Sequence, residues 1–276
     1  MLNYHEDQAA GLRRIMSGPK PRVVSVISAN SRKDQPRLLT NLASSIHLNG
    51  RDVLIVHASN TPSESVLDYQ VDTLPTLIDV AKSRSSLENA IKRSSHGFSV
   101  TNLMNNSHLN SSLDSHLGSR LNEVFNKLAS EYEVVLVDAT LNKDHLLPLT
   151  SLNESEIVIQ LNRDADSIKQ AYVLIKQICS QIGSRPFGIL VDGASSNQAL
   201  TVFKNISQVS KRFMQIDLEF IGSIPSDDHL SRASKLGRAV IEAFPMSIAS
   251  SAFKEIAKKI DYKNNHSNSI KQASFI

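Results

Sequence analysis

Short apolar runs alternate with longer amphipathic segments along almost the whole of this sequence. Seven runs rich in β-branched residues predict strands: RVVSVIS, DVLIVHA, FSVTNL, EVVLVDA, SEIVIQL, PFGILVD and LEFIGSIP. Several of them are apolar nearly throughout, which is typical of strands covered on both faces. The segments between them place apolar residues three and four positions apart, as in helices packed on one side. The alternation therefore predicts an α/β fold with a doubly wound, mainly parallel sheet and helices on both faces.

Glycine, proline and polar content divide the chain into three parts. The run SGPKP combines a helix stop with a stiff linker, so residues 1–19 are predicted to form a partner-binding helix and linker. Residues 20–262 are predicted to form the α/β domain. Residues 263–276 are polar and poor in apolar side chains, which predicts a disordered tail. Parallel sheets bind ligands outside the carboxyl ends of their strands, so the loops after the predicted strands are the place to look for a site.

Composition limits the compartment and the partners. Lys and Arg number 30 against 27 Asp and Glu, and this small, dispersed excess predicts no direct nucleic-acid binding. The single cysteine, Cys179, lies in a helical pattern and is predicted to be a structural thiol, which fits the reducing cytoplasm. No apolar run is long enough to cross a bilayer, so membrane association is predicted to be peripheral at most.

The loop after the first predicted strand has the outline of a phosphate-binding loop but lacks its residues. Such a loop needs glycines that turn backbone N–H groups inward, a lysine for the phosphates and a Ser or Thr for Mg²⁺. Between Gly18 and Gly50 the sequence has no glycine. The outline, with its NLA at 41–43, resembles the MinD/ParA class of deviant Walker ATPases, P-loop NTPases that carry G-K-G-G-V-G-K-T here. The resemblance puts these residues at the four glycine positions: Ala29, Ser31, Arg32 and Asp34.

The same resemblance implies that the remaining contacts of this loop are lost. Asn30 replaces the signature lysine, Gln35 the P-loop lysine and Pro36 the threonine that binds Mg²⁺. Pro36 still suits the first turn of a helix, where its missing N–H costs nothing, so the strand-turn-helix shape can persist. Arg32 and Lys33 can attract an anion, but without glycines the backbone cannot wrap it, so only weak phosphate binding is expected.

Later positions complete a vestigial nucleotide site under this resemblance. His57 and Ser59 replace two acids of the family, Asn142 replaces a glycine and Asp192 stands where relatives have an Asn that contacts adenine. Only Asp138 is kept, and two interpretations of it stay open: a cap of the following turn or a remnant of the site. His57 has no second ligand at metal spacing, which favours a structural histidine over a base or a metal ligand. Binding of ATP and Mg²⁺ is therefore predicted to be lost or weak, with no cofactor, no metal and no catalytic residue.

The N-terminal run HEDQAAGLRRIMSG predicts a short amphipathic helix with Asp7 as its N-cap. A helix this short is not stable alone, so it either packs on its own domain or folds on a partner. DQAAGLRR resembles the D-Q-A-x-x-L-R motif of the flagellar number regulators, the FlhG/FleN branch of the MinD family. The resemblance implies that the motif docks on an FlhF-type signal-recognition-like GTPase and stimulates GTP hydrolysis. The residues at the matching positions are Asp7, Gln8, Ala9, Leu12 and Arg13.

The second half of the chain resembles the same branch, in SIKQAYVLIKQI and in the segment from FIGSIP to EIAKKI. Residues 248–262 carry an apolar stripe with three lysines opposite: Ala249, Ala252, Phe253, Ile256 and Ile260. Such a stripe suits either an anionic membrane surface or docking on the domain's own sheet. Docking is favoured, because the matching family segment lies inside the folded domain.

These features predict a non-catalytic MinD-like regulator of flagellar number or placement. Two alternatives stay open: a diverged but active ATPase in which Asp138 and Lys33 compensate, and a module that binds a flagellar transcription activator. An intact paralogue is a further candidate partner. The predicted location is the cytoplasm, with recruitment by a partner to the cell pole or the inner face of the membrane.

Overall fold

An eight-stranded sheet forms the centre of the fold. The structure is a computed structural model that describes residues 21–30, 35–58, 74–104 and 114–273, with side chains described as far as Asp261. The strands are β1 Arg22–Ser28, β2 Val53–Ala58, β3 Lys92–Arg93, β4 Ser99–Asn102, β5 Val134–Ala139, β6 Glu156–Leu161, β7 Phe187–Asp192 and β8 Leu218–Ile224. Their order is β3-β4-β2-β5-β1-β6-β7-β8, and every neighbouring pair is parallel except β3 with β4. The predicted sheet is confirmed, and all seven predicted strands are present.

Helices cover both faces of the sheet. They are α1 Gln35–Leu48, α2 Leu77–Ala81, α3 Ser115–Ala129, α4 Ala165–Ile182, α5 Ser196–Met214, α6 Asp228–Lys235, α7 Val240–Ala243 and α8 Ile248–Ala273. Helices α2 to α5 pack on one face, in a core that includes Ile78, Phe125 and Ile175. Helices α1, α6, α7 and α8 pack on the other face around Leu39 and Phe253. The doubly wound architecture predicted from the sequence is therefore confirmed.

The last helix, α8, docks on the domain's own sheet through its first half. Ala249, Phe253, Ile256 and Ile260 are at most 3% exposed and belong to the core that α1 also covers. The stripe is thus covered by protein, as the sequence favoured. The helix then continues to Ala273, through residues 263–273 for which the sequence predicted disorder. Once packing has started a helix, each added residue gains a backbone hydrogen bond, so α8 extends past the residues that dock.

Asp227 fixes the start of α8 relative to α6. One carboxylate oxygen accepts from the His229 N–H at 2.9 Å, and the other accepts from the Ala249 N–H at 3.0 Å. Burial alone raises the pKa of this carboxyl, but the hydrogen bonds from Ala249 and His229 outweigh burial and the pKa is lowered. The side chain therefore acts as an anionic cap for two helices at once.

Gly222 in β8 leaves room for α8 to approach the sheet. A methyl group at this position would lie 2.6 Å from Cγ1 of Ile256, too close for a real contact. We expect Gly222→Ala to lower the free energy of unfolding by about 1–3 kcal/mol, because the added carbon overpacks the interface with α8. Urea unfolding measures this change.

The matched control for this substitution is Gly118→Ala in α3, where nothing lies within 4 Å of the added carbon. Alanine favours a helix over glycine by roughly 0.5–1 kcal/mol, so the control should be slightly more stable than the wild type. A Gly222→Ala protein as stable as the wild type would contradict the close approach of α8 to β8.

Candidate functional site

Polar side chains lie at the carboxyl ends of four strands on the face that α1 covers. This polar row comprises His57 in β2, Asp138 in β5, Gln160 in β6 and Asp192 in β7. The residue two positions earlier in each strand, such as Leu136 in β5, belongs to the core under α1 and α8. Side chains two residues apart share a face of a strand, so the polar row lies on the α1 face at the edge where such sheets bind ligands.

Gln35, at the position of the P-loop lysine, is turned into the protein. It is the first residue of α1 and only 1% exposed, and its Nε2 donates to the Val26 carbonyl oxygen in β1 at 2.9 Å. Its Oε1 is buried and has no hydrogen-bond partner among the described residues. Pro36 follows in the first turn of α1, where the sequence placed it. The side chain at this position therefore reaches the strand and not the outside of the loop.

Asn30, at the position of the signature lysine, is tied to the loop between β6 and α4. Its Oδ1 accepts from the Asn162 N–H at 3.1 Å and from the Ser167 hydroxyl. Its own N–H donates to the Ser28 hydroxyl at 3.1 Å. These contacts join the ends of β1 and β6 inside one domain, which is a structural role for this side chain.

His57 and Asp138 form a buried pair on adjacent strands. Nδ1 of His57 lies 3.4 Å from Oδ2 of Asp138, and the two residues are 8% and 4% exposed. A carboxylate can only accept, so the Nδ1–H of His57 is the donor in this contact. Within the described residues Nε2 has no hydrogen-bond partner. The structure thus brings these two predicted residues together, and the pair gives one of the two imidazole nitrogens a hydrogen-bond partner.

Gln160 is a site residue that sequence reasoning missed. It is fully buried, and its Nε2 donates to Asp192 Oδ2 at 3.3 Å. The other oxygen of Asp192 accepts from the Gly193 N–H at 2.9 Å. The Oε1 of Gln160 has no partner in the described part of the chain. A single Gln inside the apolar run EIVIQL was the available signal, since a buried amide in a strand needs partners.

Among the described residues of this region, the carbonyl oxygens of Gln35 and Gln160 are buried acceptors without a hydrogen-bond partner. The Nε2 atoms of Gln35 and Gln160 donate hydrogen bonds within the protein, whereas the Oε1 atom of each side chain accepts none from the described residues. His57 Nε2 also has no partner among the described residues, and the Asp138 carboxylate lies beside this ring. A triphosphate is an acceptor as well and needs N–H donors and cations. The described side chains of Gln35, Gln160 and Asp138 therefore present acceptors where a phosphate cradle presents donors.

The loop after β5 is closed by Asn142, which replaces the family's glycine. Its Oδ1 accepts from the N–H groups of Asp144 and Leu146, each at 2.9 Å. This Asx-type turn fixes the loop through a side chain. The other predicted residues lie outside the described residues: Asp7, Gln8, Ala9, Leu12, Arg13, Arg32, Lys33 and Ser59.

None of the described His, Cys, Asp and Glu side chains gather in threes as a metal site needs. Within the described residues no helix has the length and apolar character to span a bilayer. Cys179 is half-buried against the core, and burial raises the pKa of its thiol, as befits a structural cysteine.

The sequence is similar to two proteins over most of its length. No protein-family model matches the chain. It is 26% identical over 241 residues to the antiactivator FleN of Pseudomonas aeruginosa, across 87% of this chain and 86% of that protein. It is 24% identical over 240 residues to an uncharacterized ATP-binding protein of Methanocaldococcus jannaschii, across 86% of each.

Among solved structures, the septum site-determining protein MinD of Pyrococcus horikoshii, complexed with Mg-ADP, is similar with a TM-score of 0.63. It is 20% identical, and the match covers 87% of this chain and 96% of that chain. At this identity the structural likeness shows the fold. The chain thus has the fold of the MinD/ParA-like proteins, and its sequence is similar to the FlhG/FleN branch over most of both chains.

Proposed function

We propose that this protein is a non-catalytic MinD-like regulator of flagellar number or placement, which acts by binding other proteins and not by hydrolysing ATP. The observation that carries the proposal is the acceptor character of the vestigial site, with Gln35 turned into β1 and Gln160, His57 and Asp138 beside it. The likeness to the antiactivator FleN supports a regulatory role.

Phosphate binding in this site is opposed by its chemistry. Two buried carbonyl oxygens and a carboxylate would face the negative oxygens of a phosphate, and like charges brought together in a buried site are unfavourable. Gln35 already donates to the Val26 carbonyl at 2.9 Å, and its neutral amide brings no positive charge to a phosphate, unlike the lysine that it replaces.

MgATP should therefore show no saturable binding in calorimetry up to about 1 mM, a concentration that detects sites of only about −4 kcal/mol. A MinD-like protein with an intact glycine loop serves as the positive control. One-site binding in the micromolar range would sink the proposal. Hydrolysis that Asp138→Ala abolishes would favour the rival function, a diverged but active ATPase.

The partner proposed for the N-terminal segment is an FlhF-type GTPase, bound through the motif DQAAGLRR. The sequence predicts a short amphipathic helix that a stiff linker joins to the α/β domain, and such a helix is suited to folding on a partner. A flagellar transcription activator is the second candidate, because the relative FleN is an antiactivator. Deleting residues 1–19 distinguishes them: the GTPase contact should be lost, whereas a contact made by the α/β domain should persist. The contacts are measured by pull-down. A pull-down with an intact paralogue tests whether the two proteins form mixed dimers in the cytoplasm.

A further inference from the structure

We propose that the cavity between α2 and α3 binds a phosphate group. Nitrogen-bearing side chains converge on this space of about 690 Å³ from both helices: Lys82, Arg84, His116 and Arg120. The space that these side chains line is called the cavity below. The space is open to solvent, and Arg84 and His116 at its edge are exposed. The cavity is formed by helices of the α2–α5 face, whereas the polar row lies on the α1 face.

Helix stability alone does not explain the position of all these groups. Lys82 is the C-cap of α2 and Arg84 follows it, and the C-terminal end of a helix favours cations. His116 and Arg120 lie instead in the first two turns of α3, and the N-terminal end of a helix favours anions. An anion held between the two helices would reconcile the basic side chains with the end of α3.

An ordered turn positions Arg120 and Arg84. Ser83 has a φ of 58°, which is uncommon for a residue other than glycine. The turn is held by the Ser83 N–H, which donates to the Val80 carbonyl, and by the Arg84 N–H, which donates to the Asp79 carbonyl, both at 2.9 Å. The Ser83 hydroxyl accepts from Nη2 of Arg120 at 2.8 Å. A guanidinium has five N–H donors, so this contact orients Arg120 and leaves donors for a ligand.

The guanidinium groups exceed the acids that line the cavity. Among the described lining residues Asp114 is the one carboxylate, and it accepts from the Leu117 N–H at 2.7 Å as the cap of α3. The acid of α2, Asp79, accepts from the N–H and hydroxyl of Thr76 at 3.0 and 2.7 Å, at the other end of that helix. Arg84 and Arg120 alone therefore outnumber the one carboxylate present, so the cavity has a net positive charge.

Phosphate is the anion that this arrangement suits best. Planar guanidinium groups bind phosphate oxygens through paired N–H donors, and the ammonium of a lysine adds charge. The N–H of Ile78 in α2 donates to the Leu103 carbonyl just after β4, which places the cavity over the β4 side of the sheet. The cavity lies on the α2–α5 face of the sheet and the polar row on the α1 face, so the cavity is distinct from the vestigial nucleotide site.

Titration of the full chain with inorganic pyrophosphate, together with flotation on phosphatidylglycerol vesicles, tests the proposal. Combining Arg84→Ala with Arg120→Ala should weaken binding about tenfold or more, because two charge-assisted contacts are removed. Lys127→Ala, an exposed site on α3 outside the cavity, removes one charge and should leave binding unchanged. Arg120→Lys retains the charge but not the fork, so a partial loss is expected even if the double variant is unstable.

The two ligands distinguish the source of the phosphate. Binding of pyrophosphate alone indicates a small phosphorylated ligand, and binding of vesicles alone, lost in the same variants, indicates a lipid headgroup. Binding of neither, or binding that the double variant does not change, overturns the proposal. If MgATP binds and this binding disappears in the double variant, the nucleotide occupies this cavity and not the vestigial site. The phosphate-site proposal and the proposed non-catalytic function can therefore fail independently.

Discussion

Gln8→Ala is expected to remove the stimulation of GTP hydrolysis that the N-terminal motif gives to an FlhF-type GTPase. A Gln amide can orient the attacking water, and a residue supplied in trans can accelerate GTP hydrolysis by about 10³–10⁵-fold. Steady-state hydrolysis is measured for the GTPase alone, with the wild-type chain and with the variant. Stimulation should saturate with the concentration of the wild-type chain and should not require ATP, because the nucleotide site takes no part.

Gln208→Ala is the matched control, the same change at an exposed position of α5. It should stimulate as well as the wild type. A Gln8→Ala protein that still stimulates would contradict the role given to this side chain. If the chain binds the GTPase but never stimulates it, the motif is a docking segment only. Neither outcome bears on MgATP binding, so the partner and the non-catalytic site are tested separately.

The fold could be predicted because burial on two faces leaves a pattern that does not depend on any single residue. Apolar runs such as EVVLVDA mark strands covered on both sides, and the helical spacing between them marks the covering layers. The two-residue strand β3 was missed, since Lys92 and Arg93 are too few to show a period. The helix beyond residue 262 was missed for a different reason: its polar composition favours disorder, while its first half is held by the core.

The site could be predicted only as a set of positions. Motif alignment identified Asn30, Gln35 and Asp138, but it did not show which atoms their side chains contact. Gln35 turns inward because the Val26 carbonyl is a nearby buried acceptor, and this contact decides which end of the amide is left unpaired. Gln160 belongs to no family motif that the alignment used, although its burial in β6 makes it a neighbour of Asp192. The sequence shows the loss of the loop residues, whereas the acceptor character of Gln35 and Gln160 depends on which atoms their side chains contact.

Phe253→Ala should lower the free energy of unfolding by about 3–5 kcal/mol, the range for removing a buried aromatic side chain. Phe253 is 1% exposed and belongs to the core that joins α8 to α1 and the sheet. A domain of this kind has a total stability of roughly 5–15 kcal/mol, so the variant should lose much of it. Urea unfolding followed by circular dichroism gives the difference from the wild type.

Phe213→Ala on α5 is the control, because Phe213 is 66% exposed and the same atoms are removed from the surface. A change within about 0.5 kcal/mol is expected there. The comparison also decides between the two uses of the apolar stripe of α8. If α8 left the domain to lie on a membrane, Phe253→Ala would leave stability nearly unchanged and weaken binding to anionic vesicles. If the variant loses stability but not vesicle binding, the stripe belongs to the core. That result would also support the close packing of Ile256 on Gly222.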